Sequence, residues 1–334
     1  MCPHGMVMMP TLLVTFETDA ASRVVIEATI GSTARVVYLS DLKMERRAEA
    51  LAQASVLLAR HTAKELQAGE PELIGQARLI QFVTAGVDYI PLGDLPASLP
   101  IACNGGGYAE PMAEHAVMMA LAALKRLLVE HAKLSEGAFD QFQPNRMLAG
   151  SICGILGFGG IGIATARLMQ ALGAKIHVIN RRGATEEPVD WIGTSAALDC
   201  LLADSDILVL SLPLTPVTKR LLGHRELALM KKDAVLINLA RGEIIDEAAL
   251  FAHLQATPEF TACIDAWWIE PVRHGRFRMD HDFMSLPNVI ASPHNSASVN
   301  GWREVALQRA VENAWRVLKG GQARHLVPPE DRMM

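Results

Sequence analysis

Long uninterrupted apolar runs are missing from this sequence. Nothing in its 334 residues approaches the ~18 apolar residues of a membrane span, so neither a membrane helix nor a membrane partner is expected. Cysteine is scarce: Cys2, Cys103, Cys153, Cys200 and Cys263 are scattered and odd in number. They form no Cys-x-x-Cys pair and no Cys/His cluster at zinc spacing, which argues against a disulfide framework and against a metal site. Reduced core thiols in a cytoplasmic protein are the simplest reading. Basic residues are outnumbered, 31 Lys and Arg against 36 Asp and Glu for a net charge of -5. A phosphate-tracking nucleic-acid binder carries the opposite balance. No leader is expected either: the apolar stretch 6–16 has no basic flank and no small-residue cleavage site, and Pro10 interrupts it. The chain is expected to be intracellular, with residues 1–8 a loose tail.

What is there is a composition suited to packing. Hydrophobic types make up 50% of the chain and charged types 20%, the balance of an ordinary globular protein, and at about 150 residues per domain the length suggests two domains. Short apolar runs at 12–16, 35–39, 54–58, 79–83 and 99–102 predict strands, with helical spacing at 40–53 and 62–74. This first region reads as a small α/β unit with a parallel sheet. Asn104-Gly105-Gly106-Gly107 breaks it and is expected to be a hinge. Residues 110–130 then predict one long helix, apolar nearly all round from 116 to 123 and therefore buried on most sides. Strands are predicted at 152–156, 175–179, 207–210, 234–237, 261–264 and 289–291, with helices at 161–172, 196–203, 225–230 and 246–255. That alternation is a doubly wound sheet. A last amphipathic helix is expected at 302–318.

The strand 152–156 runs into Gly157-Phe158-Gly159-Gly160-Ile161-Gly162, which opens a helix and reads as a dinucleotide-binding turn. Gly157 would make the tight turn, Gly159 would let the backbone approach a pyrophosphate, and Gly162 would let helix and strand pack closely. The anion would sit on the helix N-terminus, over free N–H groups. Where NAD-binding turns carry an acid for the ribose hydroxyls, this chain has Asn180-Arg181-Arg182. Loss of the acid and gain of two guanidinium groups, which grip phosphate bidentately, predict NADP(H) over NAD(H); NAD(H) with a solvated Arg pair is the alternative. Ligands of open α/β sheets bind beyond the carboxyl ends of the strands. There the sequence places Arg241, Asp265, Glu270 and His294, an acid/base set with an anion clamp.

With these residues in hand, the chain resembles the D-isomer-specific 2-hydroxyacid dehydrogenases. The matching segments are Thr84-Ala85-Gly86-Val87-Asp88, Ala113-Glu114-His115, the glycine turn, Leu212-Pro213-Leu214-Thr215-Pro216 and Asn238-Leu239-Ala240-Arg241-Gly242. They continue through Asp265 to Glu270-Pro271, and Leu286-Pro287-Asn288-Val289 runs into Ser292-Pro293-His294. The resemblance implies a Rossmann cofactor domain, 107–296, inserted in a discontinuous flavodoxin-like substrate domain, 1–106 with 297–334. It implies that Arg241 holds the substrate carboxylate and C2 oxygen, and that His294 gives that oxygen a proton as hydride moves from the nicotinamide to C2. Glu270 would pair with the imidazole and raise its pKa. Asp265 would orient the nicotinamide carboxamide, the N–H groups of Ala85 and Gly86 would bind the substrate carboxylate, and Arg60 stands where some relatives contact substrate. Gly160, Ile161, Pro213, Thr218 and Ala240 would line the cofactor. A homodimer through the cofactor domain is implied, with the apolar helix at 112–124 as its contact.

These implications point to an oxidoreductase acting on a small 2-oxo or D-2-hydroxy acid, glyoxylate or hydroxypyruvate first. The alternatives are another D-2-hydroxyacid dehydrogenase of the lactate, phosphoglycerate or phosphite type, and a dinucleotide-sensing corepressor-like binding protein. Glu270 argues against the formate dehydrogenases of the superfamily, which carry Gln before the proline. Trp267 and Trp268 depart from the family pattern, and are expected either to line the cleft or to pack beneath the loop. The segment 274–281 is unusually rich in Arg and His.

Overall fold

The computed structural model describes residues 9–332; the tail expected at 1–8, with Cys2, lies outside them. Along the chain the strands are β1 (Thr11–Val14), β2 (Arg35–Tyr38), β3 (Val56–Ala59), β4 (Ile80–Phe82), β5 (Ile101–Ala102), β6 (Ile152–Leu156), β7 (Lys175–Ile179), β8 (Trp191–Gly193), β9 (Ile207–Leu210), β10 (Val235–Asn238), β11 (Thr261–Ile264) and β12 (Val289–Ala291). The helices are α1 (Ala20–Ile30), α2 (Met44–Gln53), α3 (Thr62–Glu65), α4 (Ala109–Leu124), α5 (Leu127–Ser135), α6 (Gly160–Ala171), α7 (Leu198–Asp204), α8 (His224–Leu229), α9 (Glu247–Ala256), α10 (Pro271–His274) and α11 (Trp302–Leu318). Among the described residues no helix is long and apolar enough to cross a membrane.

Two compact units result, one from Met1–Gly107 with Asn300–Met334 and one from Tyr108–Val299. The first holds a parallel sheet in the order β2-β1-β3-β4-β5, the flavodoxin-like arrangement. β1 and β3 are buried at every position because a parallel sheet covered on both faces needs continuous apolar strands. The C-terminal segment completes this unit. Leu307, Ala310, Val311 and Ala314 of α11 pack with Leu12, Val14, Val56 and Leu58, and Asn313 Nδ2 donates to Gln81 Oε1 at 2.6 Å.

The second unit holds a seven-stranded parallel sheet, β12-β11-β10-β9-β6-β7-β8. Its order reverses between β9 and β6, which makes it the Rossmann type of doubly wound sheet. Its core joins Cys153, Ile155, Val178, Val209, Ile237 and Cys263 to Met119 and Ala120 of α4 and Met169 of α6. Burial pushes the Cys153 thiol up to about 12, as expected of a core thiol; Cys200, in contrast, is exposed.

Several expectations about elements need correction. α1 lies in a stretch that predicted no helix; Asp19 caps it by accepting from the Ser22 N–H at 2.8 Å, and its buried side Ser22, Ile26 and Ile30 recurs every four residues. The single helix expected over 110–130 is two, because Arg126 takes a left-handed φ of 52° and turns the chain between α4 and α5. The helix expected at 62–74 is only α3 and a 3-10 turn, Pro71–Ile74. Gly69 at a φ of 83° and a proline that cannot continue a helix stand between them. β8 was unanticipated.

Candidate active site

The register of the second sheet aligns Leu156, Leu210, Asn238, Ile264 and Ala291. The residues that follow these positions leave the sheet along one edge: Gly157, Ser211, Leu239 to Arg241, Asp265, and Ser292 to His294. This carboxyl edge is where open α/β sheets bind ligands, and it gathers all the second-unit residues expected to react.

At the glycine turn two glycines are required by the protein itself. Gly157 has a φ of 99°, and a Cβ there would meet the Leu212 nitrogen at 2.6 Å; its carbonyl accepts from Ser211 Oγ at 2.6 Å. A Cβ on Gly162 would strike the Gly157 carbonyl oxygen. Gly159 is different. It is exposed and extended before α6, and a Cβ there would meet nothing within 4 Å. Open space in front of helical N–H groups fits a dinucleotide pyrophosphate. Gly160 and Ile161 open the helix beside it. At the end of β7, Asn180 is committed to its own loop: Oδ1 accepts from the N–H groups of Arg182 and Gly183 at 2.9 and 2.8 Å, and Nδ2 donates to the Ala184 carbonyl at 3.0 Å. The amide thus shapes the exposed loop that carries Arg181 and Arg182. Beyond β9, Thr218 Oγ1 donates to the exposed Pro213 carbonyl at 2.7 Å.

Glu270 and His294 meet directly. His294 Nδ1 lies 2.8 Å from both carboxylate oxygens, and Glu270 Oε1 also accepts from the Trp267 N–H at 2.6 Å. Burial favours the neutral acid, but the hydrogen bond and charge of His294, the Trp267 N–H and the Arg241 charge outweigh it and hold this carboxyl below its usual range. Bonding through Nδ1 leaves Nε2 to give or take a proton, on a side chain about one-third exposed, 34%. Arg241 follows β10 in a turn bracketed by Asn238, whose Oδ1 accepts from the Ala240 N–H and whose Nδ2 donates to the Arg241 carbonyl. Gly242 is glycine for a reason of packing, since a Cβ would collide with the Trp267–Trp268 peptide.

Asp265 is tied to its own loop. It is fully buried, and its carboxylate accepts from Ser292 Oγ at 2.5 Å and from the N–H groups of Asn295 and Ser296 at 3.1 and 3.4 Å. Its visible work is to hold the loop that carries His294. The tryptophans pack beneath that loop rather than lining a cleft. Trp267 donates its indole N–H to the Ser292 carbonyl and Trp268 to that of Ile245, and Trp268 stacks on Phe283. Much of the basic character of 273–281 is neutralised locally, Arg273 by Glu243 and Arg278 by Asp280.

Arg60, Ala85 and Gly86 lie in the first unit, at the carboxyl edge of its own sheet. Arg60 follows β3, with its guanidinium 4.8 Å from the Phe16 ring centroid, and Ala85 and Gly86 are half-buried in the loop after β4. Sequence reasoning missed the Trp267 N–H, the Ser292 hydroxyl and the contact of His115 Nε2 with Ser292 Oγ at 3.0 Å. The only signal for them was membership of the quoted motifs.

Residues 117–296 match the family model "D-isomer specific 2-hydroxyacid dehydrogenase, NAD binding domain". The chain is 31% identical over 252 residues to a glycerate dehydrogenase of Methylorubrum extorquens, covering 73% of this chain and 76% of that one. It is 28% identical over 305 residues to a glyoxylate/hydroxypyruvate reductase B of Klebsiella pneumoniae, covering 90% and 92%. Among solved structures, a candidate formate dehydrogenase from Pyrobaculum aerophilum superposes with a TM-score of 0.78 at 28% identity, over 96% of this chain and 99% of that one. The chain belongs to the D-isomer specific 2-hydroxyacid dehydrogenases, a family of NAD(P)-dependent oxidoreductases.

Proposed function

We propose that this chain transfers a hydride between NADP(H) and C2 of a small 2-oxo acid, with glyoxylate or hydroxypyruvate as the favoured substrate. The observation that carries the reaction is the His294–Glu270 pair at 2.8 Å, placed at the sheet edge within the field of Arg241. The names of the reductase relatives support the substrate.

With its pyrophosphate at the glycine turn, a bound dinucleotide would supply the hydride from its nicotinamide. Held through Nδ1 by the carboxylate, His294 presents Nε2 to the substrate oxygen at C2, donating a proton in reduction and removing it in oxidation. Glu270 stays ionised, fixes the ring orientation and balances the imidazolium charge. Arg241 binds the substrate carboxylate and steadies the charge that develops on the C2 oxygen. Gly157, Gly159 and the first N–H groups of α6 would hold the pyrophosphate, with Pro213, Thr218 and Ala240 along the cofactor. The Ala85 and Gly86 N–H groups and Arg60 are assigned to the substrate carboxylate. On this reading the unit of Met1–Gly107 and Asn300–Met334 is the substrate domain, and Tyr108–Val299 is the dinucleotide domain. Asp265 serves the reaction by holding the loop of His294.

NADP preference rests on the loop after β7, where Asn180 stands in place of the expected acid and two arginines follow it. Homodimerisation through the cofactor domain is also proposed. The buried face of α4, including Met112, Ala116, Met119 and Ala120, is spent in the unit's own core. Met118 on α4 is 51% exposed, and downstream Leu127, Leu128, Leu134, Phe139 and Phe142 are 50–85% exposed, apolar surface that supports a partner contact. The deciding assay runs glyoxylate, hydroxypyruvate, pyruvate and phenylpyruvate with NADPH and NADH. Turnover that disappears in His294→Ala supports the reading, and turnover unchanged in that variant sinks the mechanism.

A further inference from the structure

We propose that His115 is a positioning residue for the His294 loop, acting through the Ser292 hydroxyl on the buried carboxylate of Asp265. The inference deepens the function proposed above and rests on it. Ser292 Oγ lies 2.5 Å from Asp265 Oδ1 and 3.0 Å from His115 Nε2. A hydroxyl has one proton to donate, and a separation this short is that of a charge-assisted O–H···O⁻ bond. The Ser292 proton therefore belongs to Asp265, and Ser292 Oγ accepts from His115. That requires the His115 ring to carry a proton on Nε2, so the chain has one direction: His115 Nε2–H to Ser292 Oγ–H to Asp265.

What hangs from this chain is the catalytic loop. Asp265 receives the N–H groups of Asn295 and Ser296, the two residues after His294. Two residues before it, Ser292 is tied by its hydroxyl and, through its carbonyl, by the Trp267 indole at 2.9 Å. Between these anchors His294 takes a left-handed φ of 51°, a conformation that persists only where the surroundings over-determine it. His115 supplies the donor that fixes the Ser292 hydroxyl. Its ring reaches Ser292 and, at 3.9 Å, Asp265, both on the side of the His294 loop, so its loss is expected to misalign the His294–Glu270 pair and leave dinucleotide binding intact.

The test uses the full chain with NADPH and its best 2-oxo acid, comparing His115→Phe, His115→Gln, Ser292→Ala and the double variant H115F/S292A. His115→Phe keeps a ring and removes the donor; His115→Gln places an amide N–H near the Nε2 position. His115→Phe should lower kcat about tenfold or more with KM for NADPH within about twofold, and His115→Gln should recover most of the loss. The double variant should be no slower than Ser292→Ala alone, because both changes cut one link. Equal losses in the Gln and Phe variants, losses that multiply in the double variant, or a loss confined to KM for NADPH would each overturn the inference. If the Phe variant does not fold, His115→Asn, whose shorter amide falls short of Ser292, takes its place. Nitrogen-15 histidine NMR gives a readout independent of turnover. His115 should appear as the Nε2–H form, and the His294 resonances should move in His115→Phe and not in His115→Gln. Unmoved His294 resonances reject the positioning role; absent wild-type turnover on every 2-oxo acid rejects the proposed activity instead.

Discussion

At the scale of single residues, the Glu270–His294 pair makes a pH prediction whose sign follows from its surroundings. The Glu270 carboxyl is depressed below its ordinary value of 4.5 because the His294 contact and the neighbouring positive groups outweigh its burial. A depressed acid contributes its pairing fully above the ordinary carboxylate range and loses it as pH falls through the lowered value. The acid limb of the kcat/KM profile that belongs to Glu270 is therefore expected below the ordinary carboxylate range. Glu270→Gln should remove that limb and lower kcat/KM by about a hundredfold; a profile that keeps the limb unchanged assigns it to another group. The glycine turn offers a paired prediction. Gly157→Ala should destabilise the fold by about 1–3 kcal/mol, since it adds a clash with Leu212 to a backbone conformation that alanine disfavours. Gly159→Ala should leave thermal unfolding unchanged and weaken dinucleotide binding, read by fluorescence titration. The identities of Arg241, Glu270 and His294 were legible because motif and chemistry coincide there. The burial of Asp265 was not, because nothing local distinguishes a carboxylate facing a ligand from one facing its own loop.

At the scale of elements, the strands of the second sheet were nearly fully legible, since 4–5 residue apolar runs bounded by breakers have few other readings. β8 escaped because Trp191–Gly193 is short and only half-buried. α1 escaped because Val24, Val25, Ile26 and Thr29 are β-branched and suit strands as well as helices; packing against α11 decides the matter. The break after α4 has no sequence punctuation, for Arg126 is neither Gly nor Pro. Trp267 and Trp268 could be placed only by their neighbours, Phe277, Phe283 and the backbone of Gly242. This aromatic floor predicts that Trp268→Ala costs about 3–5 kcal/mol, measured by denaturant unfolding, while Trp267→Phe keeps the ring, loses the bond to the Ser292 carbonyl, and lowers kcat more than stability.

At the scale of the whole molecule, cofactor choice and assembly are the properties to measure. Arg181→Ala/Arg182→Ala should lower kcat/KM for NADPH about tenfold or more while sparing NADH; an equal loss with both cofactors removes the arginines from phosphate recognition. Phe139→Ser/Phe142→Ser should shift the sedimenting species toward monomer, and no shift assigns that apolar surface to something other than self-association. The class of both sheets, the glycine turn and the chemical groups that line one sheet edge are written locally in the residues, because periodicity and residue type act over a few positions. Which partner each group takes depends on the folded unit. His294 with Glu270 spans 24 positions and His115 with Ser292 spans 177, and hydrogen bonds over such separations are set by the register of a sheet that the whole second unit must fold to create.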